Sequence, residues 1–180
     1  MQYFITGKRN GHNLLSLDSA RSCPTCGLYT HRWEDMGDIK QKIDKDYSLT
    51  NDGFKVVSEK FKGIVEEVGV RDVDFFPLTN GSYVFRPRRV VFLDVTDAVE
   101  RTKGPCKTCG RLTAFFGFSL EAKIMRGQLK VGLIDIVRSA QTYGSDQFFV
   151  EEHIFGEEIL EALNDEGLRG GIHWYECRPG

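Results

Sequence analysis

Two short strings hold the residues best placed to do chemistry: Cys23-Pro24-Thr25-Cys26-Gly27 and Cys106-Lys107-Thr108-Cys109-Gly110. In each, a two-residue spacer lets both thiolates face one metal ion. The glycine that follows permits a tight turn that aims backbone N–H groups at sulfur. Two such knuckles supply four thiolates, the tetrahedral set that closes a structural zinc site. The expected ligands are therefore Cys23, Cys26, Cys106 and Cys109, holding one structural Zn²⁺ per chain. Four protein ligands leave no open position for a substrate water, so the metal is expected to clamp the fold, and the chain is expected not to be an enzyme.

Other chemistries fit less of the pattern. Cys23-Pro24-Thr25-Cys26 resembles a redox dithiol of the thioredoxin type, which needs a strand before it, a helix after it and a lowered thiol pKa. The second cysteine pair and both glycines point away from that. Five cysteines is an odd number, and Met1 to Gly7 lacks the layout of a secretion signal, so a disulfide framework is disfavoured. Pro105-Cys106-Lys107-Thr108-Cys109 matches half of a zinc deaminase signature. However, His31 and Glu34 have H-x-x-E spacing, and no H-x-E or C-x-E precedes Cys106. Cys177 reads as a small, partly buried apolar residue. His12, His31, His153 and His173 share no motif, and each is assigned a surface or structural role.

The elements that must position the knuckles follow from periodicity. The first ten residues read as a strand around Tyr3, Phe4 and Ile5, and Leu14, Leu15 and Leu17 suggest a second short one. Trp33 to Asp52 is polar and reads as a solvated connection. Val57, Phe61, Ile64, Val65 and Val68 recur at helical spacing, with Gly69 as the stop. Strands are predicted at Val73 to Leu78, Ser82 to Phe85, Val90 to Leu93 and Leu133 to Val137. The third of these is nearly all apolar and is predicted to be central. Leu112 to Leu120 is a further apolar stretch rich in Phe. A C-terminal helix carries Phe155, Ile159, Leu160 and Leu163 and stops at Gly167-Leu168, before a strand from Ile172 to Cys177. Helix, glycine and aromatic strand thus occur twice, through duplication or through the chance likeness of two short α-β units. The predicted class is α+β, with a mixed or antiparallel sheet and few helices. One domain over 1–180 is expected to carry a zinc-ribbon-like element contributed by 21–31 and 103–120.

Charge narrows the choice of partner. The formal net charge is -2 and the pI about 6.1, so nothing global calls for nucleic acid or an anionic membrane. No apolar run is long enough to span a bilayer, and a cytoplasmic location is expected. Glu151 to Glu166 holds seven acidic residues and no Lys or Arg. It is either a solvated helix face or a surface for a basic partner. Arg86-Pro87-Arg88-Arg89 is a short basic cluster, which keeps a nucleic-acid-binding zinc-ribbon protein as the alternative. Arg21, Lys103, Lys107 and Arg111 flank the knuckles and could offset the charge of a four-thiolate site.

The paired C-x-x-C-G strings resemble the double-CxxCG-motif family, known chiefly from myxobacteria and assigned to immunity proteins of polymorphic toxin systems. Further likeness lies in Ile136-Val137-Arg138-Ser139, in Gly167-Leu168-Arg169-Gly170, and in Val56-Val57-Ser58-Glu59 ahead of a helix. The resemblance implies an intracellular protein that binds and neutralises a cognate toxin; it carries no inhibitory residue over to this chain.

Overall fold

Among the described residues, two helices of equal length form where apolar residues recur at helical spacing. A computed structural model describes residues 2–15, 22–27, 29, 33–94, 106–110, 123–124, 131–143, 150–168 and 172–177. Helix α1 (Glu59–Glu67) buries Phe61, Ile64 and Val65. The Ser58 hydroxyl accepts the Phe61 N–H at 3.1 Å, and Glu59 places negative charge in the first turn. Helix α2 (Glu157–Asp165) buries Ile159, Leu160 and Leu163. Gly69 (φ 81°) and Gly167 (φ 65°) end the two helices in the left-handed conformation that glycine tolerates. The next residue of each turn bonds back identically, Val70 N–H to the Val65 carbonyl and Leu168 N–H to that of Leu163.

The strands are β1 (Gln2–Arg9), β2 (Tyr47–Leu49), β3 (Lys55–Val57), β4 (Val73–Pro77), β5 (Tyr83–Pro87), β6 (Val90–Val91), β7 (Leu93–Asp94), β8 (Lys123–Ile124), β9 (Ile136–Tyr143), β10 (Val150–Gly156) and β11 (Ile172–Cys177). Nine of them join in one mixed sheet, and β7 pairs with β8 apart from it. The class is α+β. Strand β5 lies between β3 and β4, antiparallel to both, and β2 flanks β3. In the same way β1 lies between β10 and β11, antiparallel to both, and β9 flanks β10. The register agrees residue for residue: Tyr83 faces Val57 and Pro77, as Tyr3 faces Phe155 and Glu176. The parallel pairs among the described strands are also matched, since the end of β1 joins β2 and β6, just after β5, joins β9.

Two halves of one topology follow, each running strand, knuckle, hairpin, helix, strand. Each half donates its first strand to the centre of the other half's sheet. The helix-side core joins them through Ile5, Tyr47, Phe61 and Phe85 with Ile136, Phe155, Ile159 and Leu163, all buried. A second core, on the other face of the first half's strands, gathers Leu14, Leu15, Tyr29, Phe54, Val56 and Val84.

Several sequence expectations need correction. Val57 and Phe155 belong to strands, because the last inward strand residue continues the helical spacing of the helix after it. The polar stretch from Trp33 to Asp52 contains β2, whose three residues are all buried. Leu15 forms a single bridge to Met36 instead of a strand, and Leu17 lies outside the described residues. Val90 to Leu93 is not central: β6 ends the strand order, and Val90 and Phe92 are 42% and 54% exposed. Leu133 and Ile134 form an exposed turn before β9. Leu112 to Leu120 lies outside the described residues. No helix among the described residues is long and apolar enough to cross a membrane.

Candidate metal centre

Each knuckle sits at the tip of an excursion whose base is closed by antiparallel pairing. Leu15 with Met36 closes the first; Leu93 with Ile124 and Asp94 with Lys123 close the second. Within the tips the local geometry is the same. Gly27 and Gly110 take φ of 72° and 70°, and their N–H groups donate to the Cys23 and Cys106 carbonyls at 2.8 Å. A Ser22–Tyr29 bridge brackets the first tip. Buried Tyr29 is anchored in turn by its hydroxyl, which donates to Asp35 at 2.8 Å.

The tips meet face to face. Cys23 Sγ lies 3.8 Å from Cys106 Sγ, Cys26 Sγ lies 3.6 Å from Cys109 Sγ, and the Thr25 and Thr108 hydroxyls touch at 2.6 Å. All three contacts join residues 83 apart, so the knuckles are related residue by residue. All four sulfurs lie within 4.8 Å of one another. A tetrahedron with metal–sulfur bonds of about 2.3 Å has sulfur–sulfur edges of about 3.8 Å, close to the Cys23–Cys106 and Cys26–Cys109 distances. A disulfide needs about 2.05 Å, and none of the four cysteines forms one. The four residues named from sequence are therefore brought together, and they can hold a metal ion.

Electrostatics favour the anionic form. Backbone N–H groups of Cys109 and then Thr108 point at the Cys106 sulfur and lower its pKa from the ordinary 9.0 to about 6. Cys23 is lowered by the matching N–H groups of Cys26 and Thr25. Cys23 and Cys106 are buried, whereas Cys26 and Cys109 are half-buried. Of the flanking cations, Lys107 is exposed; Arg21, Lys103 and Arg111 lie outside the described residues.

The remaining candidates do not join this site. Glu34 is exposed, and Cys23, Cys26, Cys106 and Cys109 form the one metal-competent group found among the described residues. His31 lies outside them, as do the side chains of His173 and Cys177. The basic cluster is already engaged. Arg86 stacks over Trp33 at 4.2 Å, Arg88 approaches Asp72 and Asp74, and Arg89 meets Asp135 at 2.6 Å.

Sequence reasoning missed one polar cluster. Buried His153 contacts the Tyr47 hydroxyl through Nδ1 at 3.2 Å, and Arg138 pairs with Glu151 at 3.3 Å. Burial, then Glu152, pushes the Tyr47 pKa well up, so it stays a neutral phenol. Beside them a cleft of about 10 Å³, room for about one water molecule, is lined by Trp33, Lys55, Phe85, Glu151 and His153. It falls below the roughly 300–1,000 Å³ typical of small-molecule pockets. Only cross-strand register assembles it, so no sequence spacing announces it. No protein-family model matches the chain, and no curated protein matches it either.

Proposed function

We propose that the chain is a zinc-stabilised immunity protein, which binds and neutralises a cognate bacterial toxin and performs no catalysis at its metal. The observation that carries this reading is the convergence of four thiolates, two from each half, at tetrahedral spacing. An all-thiolate set suits Zn²⁺ and fills its coordination shell, so the ion serves as a clamp. The step from zinc-clamped domain to toxin neutralisation rests on the resemblance of the two C-x-x-C-G strings. An intracellular location belongs to the same proposal. The nucleic-acid alternative draws little support from Arg86, Arg88 and Arg89, whose side chains are held by Trp33 and by carboxylates.

Two measurements test the reading. Metal analysis of the purified protein is expected to give about one zinc per chain. Cys23→Ser and Cys106→Ser should each lose it and become protease-sensitive. Zinc-free wild-type protein of normal protease resistance would remove the clamp. Co-expression with toxins encoded beside the gene should rescue growth, and absence of rescue by the intact protein would remove the immunity role.

A further inference from the structure

The two halves enter their hairpins through matching corners. Asp46 precedes β2 as Asp135 precedes β9, and each carbonyl accepts the N–H of the residue at the N-cap of the next helix, Ser58 at 3.1 Å and Gly156 at 2.9 Å. By that register Asp44 and Lys45 of the first corner correspond to Leu133 and Ile134 of the second. In the first corner both side chains are occupied, Asp44 with Lys42 and Lys45 with the Arg9 carbonyl. In the second, Leu133 and Ile134 are 52% and 40% exposed.

The second corner is fixed from several sides. The Gly132 N–H donates to the Asp135 carboxylate at 2.6 Å, and the Asp135 N–H returns to the Gly132 carbonyl at 3.2 Å. Arg89 holds the same carboxylate, and the Gln2 amide donates to the Val131 carbonyl at 3.2 Å. Gly156 gives α2 no side-chain cap, and the Leu133 carbonyl accepts the Glu158 N–H at 3.1 Å. A carbonyl of any residue could do that, so the fold explains the backbone of Leu133 but not two adjacent, half-exposed apolar side chains. Their setting is acidic. Glu158, Glu161 and Asp165 are exposed at successive turns of α2, starting at the corner, and the position of Glu158 is Lys60 in α1. An isologous dimer built on this surface would set these carboxylates near their own copies, which disfavours a second copy of this chain as the occupant.

We propose that Leu133 and Ile134 form an anchor that seats in an apolar recess of a basic protein partner, whose Lys and Arg side chains face Glu158, Glu161 and Asp165. Burial of the two apolar side chains supplies affinity, and a corner already held in place loses little freedom on binding. The carboxylates beside it steer the approach and reject acidic partners. The proposal rests on the partner-binding reading and deepens it by naming the surface and the partner's chemistry.

The test titrates the zinc-loaded full chain, methyl-labelled at Leu and Ile, with an amphipathic helical peptide of Leu and Lys. The Leu133 and Ile134 methyl resonances are expected to shift, and those of buried Ile5 and Leu163 to stay. Leu133→Asp combined with Ile134→Lys installs the residues of the first corner, and should keep zinc and weaken binding by about tenfold or more. Glu158→Lys combined with Glu161→Lys, both at exposed positions, should weaken it by a similar factor, whereas Glu66→Lys on α1 should leave it unchanged. Equal binding of a matched Leu-Glu peptide, no shift at the corner, or full affinity in either double variant would each overturn the proposal. So would a wild-type dimer that the Leu133→Asp, Ile134→Lys variant converts to monomer, since the surface would then belong to a second copy. The toxin assay separates the two ideas. Rescue that survives the Leu133→Asp, Ile134→Lys variant keeps the immunity role and removes this surface. Peptide binding at the corner without rescue by the intact protein keeps the surface and removes the immunity role.

Discussion

Two backbone N–H groups converge on the Cys106 sulfur and favour its anion. In the metal-free protein one thiolate should therefore appear, by ultraviolet absorbance, with a midpoint near pH 6, and Cys106→Ser should abolish that step. The folded pKa lies below the ordinary 9.0, so the contribution to stability is complete above pH 9.0. It fades as pH falls and is gone below about 6. Denaturant unfolding of the metal-free chain between these limits should show stability rising with pH. The four-cysteine cluster was legible in sequence because a knuckle is local: two cysteines, a spacer and a glycine fix its shape. The Tyr47–His153 contact was not legible, since it depends on strands from different halves meeting in one register.

At the scale of elements, periodicity located both helices and their glycine stops but blurred where strands hand over to them. The residues at these junctions face different demands. Ser58 begins α1 with a side-chain cap, whereas Gly156 begins α2 under the carbonyls of Leu133 and Gly132, where a Cβ would collide with backbone. Gly156→Ala should cost about 1–3 kcal/mol by denaturant unfolding, although alanine is the better helix former. Phe61, fully buried against Tyr47, Phe85 and Phe155, is the residue of α1 that joins both halves. Phe61→Ala should cost about 3–5 kcal/mol in the same measurement. Strand β2 escaped notice because three residues are too few to display an alternation, and the position of β6 at the sheet's end contradicts its apolar composition.

For the molecule as a whole, the exchange of first strands decides how it holds together. A chain opened between Asn80 and Gly81, in the turn joining β4 to β5, yields two pieces that each lack a central strand. Co-expressed, they should co-elute as one particle on size exclusion, and expressed singly neither should resist protease. Two independently stable pieces would contradict the topology. Sequence hinted at the repeat through helix, glycine and aromatic strand, but pairing between distant segments is what relates β1 to β5. The exchange also sets a schedule for biosynthesis. Strand β1 leaves the ribosome first, yet its neighbours β10 and β11 are translated last among the described elements. Along most of its length β1 must therefore wait for these partners, joined in the meantime only to β2 at Lys8 and Arg9, and its sheet is completed only as α2 and β11 emerge.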